Sequence, residues 1–107
     1  MTGKQISAEE LYVLVNQGVP TDMAVIDVRT PEEFAKGAIV GAKNIPVDQI
    51  VSQKDLLQNY KKIYFYCLSG SRSQLAIAQL VNAGLTDELY SLASGLLAWR
   101  KLGYRLV

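Results

Sequence analysis

Short apolar runs alternate along this chain with segments whose apolar residues recur at helical spacing. The runs are Ala24–Val28, Ile63–Cys67 and Leu89–Leu92, rich in β-branched and aromatic side chains. Runs of this length and composition are typical of buried parallel strands. Strands that alternate with helices predict an α/β fold, with a mainly parallel central sheet of about five strands and helices on both faces.

Two capping boxes mark where helices begin. Ser7 stands three residues before Glu10, and an apolar stripe at helical spacing follows until Gly18. Thr30 stands three residues before Glu33 directly after the first strand. In this motif each side chain accepts a hydrogen bond from a backbone N–H of the first helical turn. We therefore expect helices to begin after Ser7 and after Thr30.

The remaining segments predict shorter elements and the helices of the C-terminal half. They predict a brief extended piece before Pro46, one or two short helices between Val47 and Tyr60, a helix over Ser73–Ala83 with Gly84 as its cap, and a last helix over Gly95–Leu102. Trp99 in that last helix is expected to be a core or pocket-wall residue.

Composition excludes several classes of function. The 107 residues carry eleven basic and ten acidic side chains, a formal charge of +1. A nucleic-acid partner usually requires a basic surplus, so none is expected. The apolar runs are too short to cross a membrane, and no secretory signal is visible. We expect residues 1–107 to form one domain.

A single cysteine and the absence of histidine narrow the chemistry further. An intramolecular disulfide, a Cys-x-x-Cys couple and a zinc site of the Cys/His type cannot form within one chain. Catalytic sets that use histidine as a base are excluded as well. Any nucleophile must work without imidazole, and neither a metal nor an organic cofactor is expected. A free thiol fits a reducing compartment, so the predicted location is the cytoplasm.

Cys67 occupies the most informative position. It ends the central apolar run and lies just before an amphipathic helical segment. Backbone N–H groups at a helix N-terminus lack intrahelical partners, and the helix dipole favours an anion there. The thiolate should therefore be stabilised and its pKa lowered. The alternative is an inert buried cysteine, which is common at the end of an apolar strand.

The loop after Cys67 is small and polar, with one cation. Gly70 permits the backbone conformations of an anion-binding nest, and the hydroxyls of Ser69, Ser71 and Ser73 can donate hydrogen bonds. Arg72 adds a planar fork suited to oxyanions. Ser73 is equally suited to cap the helix that follows. The spacing is Cys-x4-Arg.

This loop resembles the active-site loop of the rhodanese-like sulfurtransferases. Three further stretches agree with that family: Ile26–Phe34, Lys36–Pro46 and Gly95–Tyr104. The resemblance runs from about Ile6 to Tyr104. It implies that the cysteine accepts a sulfane sulfur, becomes a persulfide and passes that sulfur to cyanide or a thiol, which can belong to a protein.

The roles implied by the resemblance can be placed on the loop. Cys67 would attack the outer sulfur of thiosulfate or of a persulfide donor, with backbone N–H groups from Leu68 to Ser73 stabilising the resulting anion. Arg72 would hold the donor. The substrate-binding residues are therefore expected to be Leu68, Ser69, Gly70, Ser71, Arg72 and Ser73.

Two other functions use similar features. Phosphatases and arsenate reductases with a related cradle resemble Cys-x5-Arg, one residue longer, because a tetrahedral oxyanion needs a wider ring. The four residues between Cys67 and Arg72 favour sulfur. The second alternative is a non-catalytic interaction or thiol-sensing module on the same fold, which has no need of the loop.

Three features depart from the family pattern. Ala38 stands where many members have histidine, and Ser94 replaces the first glycine of a common Gly-Gly pair. The loop has one cation where efficient thiosulfate users often have two. Because Leu68 is apolar, a persulfide donor fits the rim better than thiosulfate.

Asp27 and Arg29 end the strand that should neighbour Cys67, so they are candidate supporting residues. A structural role is favoured for both. We expect Arg29 to pair with Glu32 or Glu33, and Asp27 to accept hydrogen bonds from loop backbone.

Overall fold

A computed structural model describes residues 4–107, and its strands and helices alternate as the pattern predicts. The strands are β1 (Lys4–Ile6), β2 (Met23–Asp27), β3 (Lys43–Asn44), β4 (Lys62–Tyr66) and β5 (Glu88–Leu92). The helices are α1 (Ala8–Gln17), α2 (Pro31–Ala35), α3 (Lys54–Leu57), α4 (Ser71–Asn82) and α5 (Gly95–Lys101), with 3₁₀ turns at Val47–Gln49 and Val51–Gln53.

The five strands within residues 4–107 form one sheet in the order β1-β5-β4-β2-β3, and every pairing is parallel. The predicted α/β fold is confirmed. Because β4 is central and all strands run the same way, the residues that follow β4 and β2 meet at one edge of the sheet. That edge is where ligands bind in open α/β sheets.

Side chains of β4 alternate between the two faces of the sheet, as the period of a strand requires. Tyr64 and Tyr66 join a core cluster with buried residues of α1 and α5. Phe65 and Cys67 join a second cluster with buried residues of α3 and α4. Trp99 is 1% exposed in the first cluster, as expected of a core residue. Helices therefore cover both faces of the sheet.

Both predicted capping boxes are present. Ser7 accepts from the backbone N–H of Glu10, and Thr30 accepts from that of Glu33. In each box the glutamate side chain accepts from the backbone of the cap residue. Gly18 ends α1 with a φ of 91°, a left-handed value that favours glycine.

One strand and the start of one helix differ from the sequence prediction by more than one residue. Strand β1 was not predicted, because its three residues lie at a sheet edge and include no fully buried side chain. Helix α4 begins at Ser71, two residues before the predicted start, with Gly70 as its N-cap residue. Ser73 is therefore not the helix cap.

None of the helices between residues 4 and 107 has the length and apolar character needed to cross a membrane.

Candidate active site

Cys67 lies directly after β4, at the centre of the sheet edge, and is 1% exposed. Its Sγ accepts hydrogen bonds from the backbone N–H of Gly70 at 3.1 Å and of Ser73 at 3.4 Å. Gly70 adopts a φ of 107°, which a residue with a side chain rarely reaches. The turn at Gly70 thus brings two main-chain donors onto one sulfur, as in an anion-binding nest.

Ser73 supports the loop from inside. Its side chain is fully buried, and its Oγ donates to the carbonyl oxygen of Gly70 at 3.0 Å. The Oγ atoms of Ser73 and Ser91 are 2.7 Å apart. Since each hydroxyl has one hydrogen, Ser91 donates to Ser73 when Ser73 donates to Gly70. Ser91, on β5, was not singled out in the sequence.

Helix α5 holds the first part of the loop. The backbone N–H groups of Leu96 and Leu97 donate to the carbonyl oxygens of Cys67 at 3.0 Å and Leu68 at 3.1 Å. In a planar trans peptide the N–H points opposite to the C=O. The N–H groups of the next two residues, Leu68 and Ser69, are therefore directed away from α5.

Ser94 adopts a left-handed backbone conformation directly before the contact between α5 and the loop. Within residues 4–107 it is the one residue other than glycine with a positive φ, 59°. It precedes Gly95, where an added Cβ would lie 2.5 Å from the carbonyl oxygen of Cys67. Ser94 thus keeps the left-handed conformation that glycine would adopt with less strain.

Ser94→Gly is expected to stabilise the protein by about 0.5–1 kcal/mol, since relief of the left-handed strain exceeds the entropy that glycine adds to the unfolded chain. Urea unfolding of both proteins measures the difference. Ser52→Gly, in an exposed 3₁₀ turn, is the matched control and should destabilise. Equal loss of stability in both variants would contradict the interpretation.

Arg72 forms an ion pair with the carboxylate of Glu33. Its Nη1 lies 2.7 Å from Glu33 Oε1, and its Nη2 lies 3.1 Å from Oε2. The same Oε1 accepts from the backbone N–H of Thr30 at 3.1 Å. The hydrogen bonds from Arg72 lower the pKa of Glu33 to about 2 from its ordinary 4.5.

This ion pair makes a testable contribution to acid stability. Because the pKa of Glu33 is lowered by folding, the contribution is complete above about pH 4.5 and is lost as the pH falls towards 2. Both side chains are one-third exposed, so solvent screening limits it to about 1 kcal/mol. Urea unfolding at pH 7 and pH 3 measures how much the free energy of unfolding decreases in acid. This decrease should be smaller in Glu33→Gln than in the unmodified protein, and equal decreases would exclude a contribution from the ion pair.

The expected pairing of Arg29 with Glu32 or Glu33 is wrong. Arg29 Nη2 lies 2.7 Å from Asp27 Oδ2, and Arg29 Nε lies 3.0 Å from Asp27 Oδ1. Asp27 also accepts from the backbone N–H of Arg29 at 2.9 Å, and Arg29 Nη2 donates to the carbonyl of Gly37. This buried pair fixes the chain after β2 and agrees with a structural role.

The loop presents a mixed surface to solvent. Ser69 and Ser71 are exposed, whereas Gly70 is buried beneath them. Leu68 is 38% exposed, and Leu97, whose backbone binds that of Leu68, is 52% exposed. An apolar rim therefore stands beside the small hydroxyls.

Comparison with known proteins agrees with this architecture. A model of the Rhodanese-like domain family matches residues 7–102. The chain belongs to the rhodanese-like domain family.

Relatives of this rhodanese-like domain include proteins of known and unknown activity. It is 41% identical to the uncharacterized protein YqhL of Bacillus subtilis over 70% of the chain and 59% of YqhL, so the match spans less than two-thirds of that relative. It is 33% identical to a sulfurtransferase of Allochromatium vinosum over 80% of the chain and 79% of that protein. A rhodanese-related protein of Thermoplasma volcanium superimposes with a TM-score of 0.80 at 30% identity, covering 97% of both chains.

The departures from the family pattern have local explanations in this rhodanese-like domain. Ala38 is buried, and its backbone exchanges hydrogen bonds with that of Val107 at 2.9 and 2.8 Å. Its backbone therefore fixes the chain there, and the small side chain fits the core. Ser94 retains the glycine-like backbone described above.

Proposed function

We propose that this domain is a sulfurtransferase in which Cys67 is the nucleophile and the carrier of a persulfide. The observation that carries the proposal is the pair of backbone N–H groups, from Gly70 and Ser73, directed at the cysteine sulfur. Charge-assisted hydrogen bonds of this kind are worth roughly 1.5–3 kcal/mol each. They would stabilise the thiolate before reaction and the terminal sulfur anion after it.

The first half-reaction is a transfer of one sulfur atom. The thiolate of Cys67 bonds to the outer sulfur of the donor, and the donor's S–S bond breaks. Its electron pair leaves with sulfite when the donor is thiosulfate, or with a thiolate when the donor is a persulfide. In the second half-reaction cyanide or an acceptor thiol attacks the outer sulfur, and Cys67 leaves as thiolate. The proposed reaction needs neither a general base nor a metal.

The relatives and the loop length support this proposal over the alternatives. The sulfurtransferase of Allochromatium vinosum supports the reaction class. Four residues between Cys67 and Arg72 make a shorter loop than the phosphatase-like spacing. Because a free thiolate must stay reduced, we propose that the protein acts in the cytoplasm.

The burial of Cys67 favours a second candidate, a non-catalytic module in which the thiol is structural or senses oxidants. A side chain 1% exposed must be reached through the loop. The main-chain donors favour transfer, because a purely structural thiol has no use for them.

Sulfur transfer to cyanide tests between the two functions. The protein is incubated with cyanide and either thiosulfate or glutathione persulfide, and thiocyanate is measured. The proposal predicts thiocyanate release above the uncatalysed rate with at least one donor. No release with either donor would support the non-catalytic module.

A further inference from the structure

We infer that Glu33 determines the class of sulfur donor, by neutralising Arg72 and so disfavouring thiosulfate relative to organic persulfides. This inference rests on the proposed function and adds a specificity residue to it. Glu33 lies on α2, 39 positions before Arg72 in the chain, and touches the loop through that arginine.

Both terminal nitrogens of the Arg72 guanidinium already bind Glu33. Nη1 and Nη2 each bind one oxygen of Glu33, a bidentate geometry that is among the stronger ion pairs. A donor oxyanion that binds Arg72 in the same way must first displace the carboxylate. Glu33 resists displacement because its Oε1 also accepts from the backbone and the hydroxyl of Thr30.

No second cation in the loop compensates for this pairing. Leu68, Ser69, Gly70, Ser71 and Ser73 are uncharged. Arg29, at the end of the neighbouring strand, is committed to Asp27. Thiosulfate is a dianion, and its approach to a thiolate brings together three negative charges, which must be offset by backbone dipoles alone.

A protonated organic persulfide, R–S–S–H, avoids that repulsion. The thiolate of Cys67 attacks its outer sulfur, the S–S bond breaks, and the electron pair leaves as R–S⁻. The proton stays on the transferred sulfur until the loop donors favour its release. At the reacting sulfur atoms one negative charge is present throughout, and the exposed Leu68 and Leu97 provide apolar contact for the carbon atoms of the organic group.

The structure supplies a matched pair of variants. Glu33→Gln keeps an oxygen for the Thr30 backbone, because glutamine also completes a capping box, and it removes the charge on Arg72's partner. Glu10→Gln makes the same change in the capping box of α1, where Glu10 accepts from Ser7. Initial rates of thiocyanate release to cyanide, above the uncatalysed rate, are measured at varied concentrations of thiosulfate or of glutathione persulfide, and loading of Cys67 is followed separately by intact mass.

We expect Glu33→Gln to lower the KM for thiosulfate by about fivefold, the scale of one exposed charge pair, and to change that for glutathione persulfide by less than about twofold. Glu10→Gln should change neither. An unchanged or higher thiosulfate KM in Glu33→Gln, with glutathione persulfide still loading Cys67, overturns the inference and leaves the proposed function standing. No loading of the unmodified protein by either donor overturns both.

A second variant covers the case in which Glu33→Gln does not fold. Leu68→Arg adds a cation at the rim of the loop and keeps the Glu33 pair, so it too should lower the thiosulfate KM. Leu56→Arg, at a similarly exposed leucine of α3, is its control. The inference fails if Leu68→Arg gives the same thiosulfate KM as Leu56→Arg.

Discussion

Cys67→Ser is expected to abolish sulfur transfer and to leave the fold intact. A serine hydroxyl is not ionised by two backbone N–H groups, and it forms no persulfide. The replacement oxygen can still accept from Gly70 and Ser73, so the loop keeps its donors paired. Thiocyanate release should fall to the uncatalysed rate, while urea unfolding shows a loss of about 1 kcal/mol for a polar atom facing the core.

Alkylation provides an independent control for this substitution. The sequence contains one cysteine, so iodoacetamide modifies Cys67 alone among thiols. Alkylated protein should match Cys67→Ser in activity, although its side chain differs in size and shape. Thiocyanate release that persists in Cys67→Ser would remove the cysteine from the mechanism.

Gly95→Ala is expected to disrupt the active-site loop at a distance from the sulfur. The added Cβ would lie 2.5 Å from the carbonyl oxygen of Cys67 and 2.6 Å from that of Leu68, and these are main-chain atoms that cannot rotate away. The φ of Gly95, 56°, adds left-handed strain. We expect a loss of roughly 2–4 kcal/mol in the free energy of unfolding and a fall in sulfur-transfer activity of more than about tenfold.

Gly103→Ala separates the effect of left-handed backbone strain from that of the steric clash. Gly103 has a φ of 80°, and an added Cβ there meets nothing within 4 Å. Gly103→Ala should therefore lower the free energy of unfolding by about 1 kcal/mol, through backbone strain alone, and leave the activity unchanged. If Gly95→Ala and Gly103→Ala behave alike in both measurements, close contact between α5 and the loop is not what aligns Cys67.

Features encoded by neighbouring residues could be predicted from the sequence. Each capping box spans four residues, and β4 lies almost entirely within one apolar run, so Ser7, Thr30 and β4 were identified without knowledge of the fold. The position of Cys67 followed from the order of strand, loop and helix. Strand β1 gave no such signal, because pairing with β5 rather than its own pattern makes it a strand.

Long-range pairings could not be derived in this way. Glu33 satisfied a local role as a capping residue, and nothing in its neighbourhood indicates that the same carboxylate reaches Arg72. The sequence around Ser91 is that of an ordinary strand, and only the position of β5 in the sheet places Ser91 beside Ser73. The prediction that Arg29 pairs with Glu32 or Glu33 was wrong, because Arg29 binds Asp27, whereas Glu33 binds Thr30 and Arg72. Residues two apart in an extended segment lie on the same side, which allows this pair to form.

The most direct test of the proposed function is the intact mass of the protein after incubation with a sulfur donor and again after dithiothreitol. A persulfide on Cys67 predicts the addition of one sulfur atom, its complete removal by the reductant, and no addition to Cys67→Ser. Unchanged mass after both thiosulfate and glutathione persulfide, or an equal addition to Cys67→Ser, would contradict the proposal that Cys67 carries the transferred sulfur.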